Sequence, residues 1–328
     1  MKRCLFYVAA ACAVLSLSGC NGNSSSSSSS STGTASNGKG EKPLVAFAQA
    51  NSKDPWRQVF DKDIKDAADK HASEFDFDEQ SADDDVSKQI SQIETLMVKH
   101  PKVLLVSPVT EAAEQEIGTA HDAGALVILL DRSVPGNKWD VYIGGDNYDI
   151  GLQAGEYMAK RLNGKGTVLM IQGIADADPT KKRGGGFMDA MKKYPGITVI
   201  QGDDCGYQRA KAQTYMENFL QSKKPFDAVY AHNDEMAIGA YLAMKAANTP
   251  KKIIVGIDGC QKEVVQYIKD GSIDATFRYP QPGAAGIDIA EDFLKGKKPQ
   301  SNKVLLPTEM VTKDTADKFL SEHPNLAG

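Results

Sequence analysis

The chain has 328 residues, a quarter of them charged, and a net charge of −5. Beyond Lys181-Lys182-Arg183 it has no strongly basic stretch, which excludes nucleic acid as a partner. Its length allows a large buried core and favours two domains over one.

The first elements are processing signals. Lys2 and Arg3 precede an apolar run from Leu5 to Leu17, too short for the roughly 20 residues of a spanning helix. The run ends in Leu17-Ser18-Gly19-Cys20, which resembles a bacterial lipobox. Residues 1–20 are therefore expected to be a lipoprotein signal peptide, with Cys20 as the lipidated residue. Residues 21–42, with an unbroken serine run from Ser24 to Ser31, hold nothing that could bury apolar surface. They are expected to be a disordered tether with a reach of roughly 25 Å.

Beyond residue 42 one unit repeats. Short β-branched runs at Leu44–Ala50, Phe75–Asp78, Val103–Ser107, Leu126–Asp131 and Val141–Gly144 alternate with stretches of helical spacing, such as Ile90, Ile93, Leu96 and Met97. After a helix over Asp146–Leu162 the series begins again. Its strands are expected at Thr167–Gln172, Ile197–Gln201, Ala228–Ala231, Ile253–Ile257 and Ala275–Phe277. Strands alternating with helices predict an α/β fold of two doubly wound parallel-sheet domains in tandem. Such sheets present ligands beyond the carboxyl ends of their strands, where loops and helix N-termini converge.

The residues after each strand are therefore the candidates. After the first strand come Asp54, Trp56 and Arg57. Tryptophan there offers either a stacking plate for a sugar ring or a core residue. Asp131 and Arg132 follow the fourth strand as adjacent planar forks, matching the paired hydroxyls of a polyhydroxylated ligand, although taken alone a structural ion pair accounts for them better. In the second half, Asn233 opens a helix, where it would also serve as an N-cap. Asp258 ends a strand before Gly259, Tyr207 follows the second strand and Gln281 the fifth. Arg183 precedes three glycines, but the segment lacks the spacing of a phosphate loop. Together these carboxylates, guanidiniums, amides and aromatics form the inventory of a carbohydrate cleft.

Enzymatic signatures are missing: there is no H-E-x-x-H and no G-x-S-x-G, and the five histidines lack metal-ligand spacing. The expectation is a protein without catalytic residues, metal or cofactor.

Asp131-Arg132-Ser133, Arg183-Gly184-Gly185-Gly186-Phe187, His232-Asn233-Asp234-Glu235-Met236 and Gly256-Ile257-Asp258-Gly259 resemble the signature segments of ribose-type periplasmic sugar-binding proteins, the receptors of ABC sugar importers. The resemblance covers about Pro43 to Thr312. It implies a type I periplasmic binding fold with a three-strand hinge, one domain over 43–145 plus 282–306 and the other over 146–281 plus 307–328. By position, the family's ligand contacts fall on Asp54, Trp56, Arg57, Asp131, Arg132, Arg183, Tyr207, Asn233, Asp258 and Gln281. The family's ribose pattern has asparagine and two phenylalanines where Asp54, Trp56 and Arg57 stand. The Trp-Arg pair is instead similar to galactofuranose receptors, which argues against ribose.

The resemblance further implies an exported, lipid-anchored monomer that delivers a monosaccharide or related polyol to a permease. The alternative is a sensor that presents its ligand to a membrane receptor kinase or chemoreceptor. Sugar-responsive repressors share the fold but begin with a helix-turn-helix, where this chain has a signal and tether. The family strand order, 2-1-3-4-5, would set Cys205 and Cys260 three strand spacings apart, near 14 Å, beyond the roughly 7 Å limit for a disulfide. Both are expected to be free thiols.

Overall fold

The computed structural model describes residues 41–324, 326 and 327. The signal, Cys20 and all but the end of the tether lie outside the described residues.

The chain from Lys42 onward builds two six-stranded sheets, each wrapped by helices on both faces. The first uses β1 (Leu44–Gln49), β2 (Asp76–Ser81), β3 (Val103–Val106), β4 (Leu126–Leu130) and β5 (Val141–Gly144). The second uses β6 (Lys165–Gln172), β7 (Gly196–Asp204), β8 (Ala228–Ala231), β9 (Ile253–Val255) and β10 (Ala275–Arg278). Two late strands finish them: β11 (Lys303–Leu305) pairs parallel with β5, and β12 (Glu309–Thr312) pairs antiparallel with β10. The strand orders are β11-β5-β4-β3-β1-β2 and β12-β10-β9-β8-β6-β7. The expected order 2-1-3-4-5 therefore holds in both halves. The chain crosses between the sheets three times, after β5, after β10 and between β11 and β12.

The β-branched runs become strands because both faces are covered. On one face of the first sheet Val45, Phe47, Val103, Leu105 and Ile128 pack with Phe60 and Ile64 of α1 (Pro55–Lys70) and Ile287 of α9 (Gly283–Leu294). On the other, Ala46, Ala48, Leu104, Val106 and Val127 pack with Ile93 and Leu96 of α2 (Val86–Val98) and Ile117 of α3 (Glu114–Asp122). In the second sheet Val168, Met170 and Tyr230 face α4 (Asn147–Arg161) and α5 (Asp178–Met191). Leu169, Ile171 and Val229 face α6 (Arg209–Gln221) and α7 (Asp234–Ala246).

The glycines after Arg183 have a structural use. A Cβ on Gly186 would sit 2.0 Å from the Tyr148 carbonyl oxygen, so glycine there lets α5 lie directly on α4. Cys205 and Cys260 are buried free thiols. Among the described residues no helix is long and apolar enough to cross a membrane.

Candidate functional site

The carboxyl ends of the two sheets face each other across a cleft. It is lined by Asp54, Trp56, Arg57, Asp131, Arg132, Pro179, Arg183, Tyr207, Asn233, Asp258 and Tyr279. The unfilled space between them, counting its mouth, is about 360 Å3.

From the first sheet, Pro55 at the helix start and Asp54 as N-cap fix the beginning of α1, the Asp54 carboxylate accepting from the Arg57 amide at 2.9 Å. Trp56 lies under the cleft floor. Its Nε1 donates to the Tyr279 carbonyl at 2.8 Å, and its ring meets Tyr279 and Phe60 at centroid distances of 5.6 and 5.4 Å. Arg57 spends its donors on the protein. It reaches Gln49 Oε1 at 3.1 Å, Ser107 Oγ at 2.8 Å and Asp131 Oδ2 at 2.6 Å. Arg57, expected as a ligand contact, is thus largely a brace for Asp131.

Arg132 is used more sparingly. Its Nη1 donates to the carbonyls of Pro108 and Val109, and its buried Nε makes no hydrogen bond among the described residues, standing 3.7 Å from Asp131 Oδ2. Burial and the neighbouring Arg57 pull this guanidinium below its ordinary value. Its plane lies 5.5 Å from the Tyr207 ring centre, across the cleft.

From the second sheet, Arg183 donates to Asn147 Oδ1 at 2.8 Å and to the His232 carbonyl at 2.5 Å, with the Tyr279 ring 5.0 Å away. Asn233 caps α7 by accepting from the Met236 amide, and its Nδ2 donates to the Tyr207 carbonyl. The Tyr207 hydroxyl pairs with Thr180 Oγ1 at 2.6 Å. Among the described residues the Asp258 carboxylate receives no hydrogen bond, and Arg183 Nη1 stands 3.9 Å from it. Burial raises this carboxyl well above the usual range, with Asp234, Asp54 and Asp131 adding to the rise and Arg183 opposing it.

Three lining residues, Asp131 (φ +66°), Tyr207 (φ +61°) and Asp258 (φ +130°), hold left-handed backbone conformations. Residues with side chains adopt these only where the surroundings over-determine them, and such positions cluster at ligand clamps.

Nine of the ten sequence candidates therefore line one cleft. Gln281 does not: it borders a separate cavity with Cys260, Arg278 and His323. The reason is that β10 ends at Arg278, so the first residue past the strand is Tyr279. By Gln281 the chain is already crossing to α9, which starts at Gly283. Tyr279 is the residue the sequence reading missed: it is the first residue past β10 only because the strand runs to Arg278, one residue beyond the expected end. Pro179, Asn147 and Ser107 carried no signal, because their roles depend on which elements pack together.

The profile of the periplasmic binding protein domain matches residues 45–298. A ribose import binding protein of Haemophilus influenzae is 35% identical over 241 residues, covering 72% of this chain and 81% of the relative. A galactofuranose-binding protein of Escherichia coli is 28% identical over 295 residues, covering 86% and 92%. Among solved structures, the fructose-binding periplasmic domain of a hybrid two-component system superposes with a TM-score of 0.82 at 33% identity, covering 86% and 94%. All three are named as binding proteins or domains.

Proposed function

This chain belongs to the periplasmic binding protein domain family, and on that premise we propose that it captures a monosaccharide or related polyol between its two lobes. It then passes the ligand, unaltered, to the membrane permease of an ABC importer. One observation carries this reading. Among the described residues, Arg132 from one lobe has a buried Nε that makes no hydrogen bond, with Asp131 Oδ2 3.7 Å away, and the Asp258 carboxylate from the other receives none, with Arg183 Nη1 3.9 Å away. A vicinal pair of hydroxyls can accept from the first and donate to the second, and Tyr207 and Tyr279 offer apolar faces to ring C–H groups.

Closure is a hinge motion in this proposal. The bodies are 43–145 with 282–306 and 146–281 with the tail, and the crossings after β5, β10 and β11 bend. Residues 1–20 direct export, Cys20 carries the lipid, and a monomer is held near the membrane by its tether. A galactofuranose-like ring, rather than ribose, fits the Trp56-Arg57 pair.

A second reading has specific support: a fructose-binding domain of a hybrid two-component system is among the similar structures. In that case the closed lobes present their ligand state to a receptor kinase. Isothermal titration of residues 42–328 against aldopentoses, hexoses, polyols and sugar acids tests capture. Binding of an amino acid with no sugar response would overturn it. Pull-down with the neighbouring permease or kinase separates the two readings.

A further inference from the structure

Beyond the groups lining the cleft, one fully buried carboxylate is tied to the backbone on both sides of Asp258. The Asp234 amide donates to the Ile257 carbonyl at 2.6 Å, and Asp234 Oδ2 accepts from the Gly259 amide at 2.7 Å. Its other oxygen accepts from Thr276 Oγ1 of β10 at 2.7 Å. Asp258 between these anchor points holds φ +130°, and its own amide donates to Phe277 while its carbonyl accepts from Tyr279. Room for the contact is made by residue 256: a Cβ there would lie 2.2 Å from Asp234 Oδ1.

Neighbouring Asn233 already has two structural bonds and a place in the cleft, and Glu235 pairs with Arg209. Asp234 has no access to the cleft at all, being 1% exposed and absent from its lining. A buried carboxylate is costly to maintain unless its bonds do something an apolar residue cannot. Here they hold a strained turn whose central side chain faces the ligand space.

We propose that Asp234 is the positioning residue for Asp258, clamping the Gly256–Gly259 turn so that the Asp258 carboxylate is presented to the bound ligand. This rests on the reading of the cleft as a sugar site. The clamp needs one acceptor for the Gly259 amide and one partner for the Thr276 hydroxyl. Asparagine supplies both, its oxygen accepting from Gly259 and its amide donating to Thr276, whose hydroxyl rotates. Alanine supplies neither.

The test compares wild type, Asp234→Asn, Asp234→Ala and Thr276→Val by isothermal titration with the sugar the wild type binds best. Asp234→Ala is expected to lower affinity roughly tenfold or more, and Thr276→Val by a smaller factor, as buried bonds are removed. Asp234→Asn is expected to keep affinity within about threefold of wild type near neutral pH.

The readout that a merely structural role would not move is a double-mutant cycle with Asp258→Ala: the affinity lost through Asp234→Ala or Thr276→Val is expected to disappear once the Asp258 carboxylate is gone. Should Asp234→Ala not fold, the Thr276→Val cycle still decides the matter. Wild-type affinity in Thr276→Val, or losses that simply add to that of Asp258→Ala, would overturn the proposal. A wild type that binds no sugar would instead overturn the reading it rests on.

Discussion

The Arg57 guanidinium meets the Asp131 carboxylate at 2.6 Å, with both side chains almost sealed from solvent. The cleft wall of the first lobe is built on this pair. Asp131 sits in a left-handed conformation, with its amide held by Ile143 and its carbonyl accepting from the hydroxyls of Tyr142 and Tyr279. Arg57 has two further acceptors, Gln49 and Ser107, which satisfy what the carboxylate leaves over.

Breaking that pair from one side is expected to be severe. Asp131→Ala leaves Arg57 buried without its counter-charge, a loss of about 3–5 kcal/mol of folding stability. Urea unfolding monitored by circular dichroism measures it. A loss within experimental error of zero would mean that Gln49 and Ser107 suffice.

Asp258 makes a different prediction, because its acceptors are not used by the protein. Asp258→Ala is expected to weaken sugar binding by about 1–3 kcal/mol while leaving stability nearly unchanged or improved. Titration calorimetry alongside thermal melting separates the two effects. Unaltered affinity would remove Asp258 from the site.

Acidification should weaken affinity, while its effect on stability divides between groups of opposite sign. Burial raises the carboxyls of Asp54 and Asp258 above their ordinary value, and burial with Asp61 nearby raises Glu79 to about 7. A raised carboxyl takes up its proton in the folded protein before the unfolded chain does, so its contribution to stability grows as pH falls towards the ordinary carboxylate range. His232 works the other way: burial, and then Arg183, lower it to about 3, so the unfolded chain charges its imidazole first and that contribution is lost as pH falls below the ordinary histidine value. Protonated Asp258 loses acceptors for ligand hydroxyls, so sugar affinity should fall from about pH 7 to pH 5, which calorimetry checks. His232→Gln should gain more stability, or lose less, than wild type over that range, which scanning fluorimetry reads; an unaltered pH dependence would deny His232 its part.

Two contacts cross the mouth of the cleft at one point. Lys181 Nζ pairs with Glu111 at 2.5 Å, and the Glu111 amide donates to the Asp176 carbonyl at 3.3 Å. The ion pair is partly exposed, so its worth to closure is small, below about 1 kcal/mol. Glu111→Lys and Lys181→Glu should each weaken binding slightly, and the double exchange should restore it. Failure of the exchange to restore affinity would deny the pair any part in closure.

Adjacent glycines of α5 provide a paired test of packing. Gly186→Ala would drive its Cβ against the Tyr148 backbone and should cost about 1–3 kcal/mol. Gly185→Ala meets nothing within 4 Å and should be neutral or stabilising by up to about 1 kcal/mol. Chemical denaturation of the two variants reads the difference.

Much of this was legible before folding. The βα rhythm follows from short apolar runs, while the strand order and the full set of nine cleft residues came with the family resemblance. Strand limits were less legible. Ile253–Ile257 shortens to Ile253–Val255, although Gly256 and Asp258 keep backbone bonds to β10 within the turn clamped by Asp234. Gln281, carried over by family position, lies outside the cleft lining, two residues beyond Tyr279.

By itself the sequence determined the fold class and the chemical inventory, because hydrophobic periodicity and the residues after each strand are local properties. Which groups are free to meet a ligand was decided only by tertiary structure. Arg57 and Arg132 look alike in sequence, yet packing hands the first to Gln49, Ser107 and Asp131 while leaving the Nε of the second without a hydrogen bond among the described residues. Asp234 and Asp258 likewise read as two acids just after strands; in the fold one is buried against the Gly259 amide and Thr276, and the other lines the cleft. Partner assignment depends on distances between segments remote in the chain, and no local pattern encodes those.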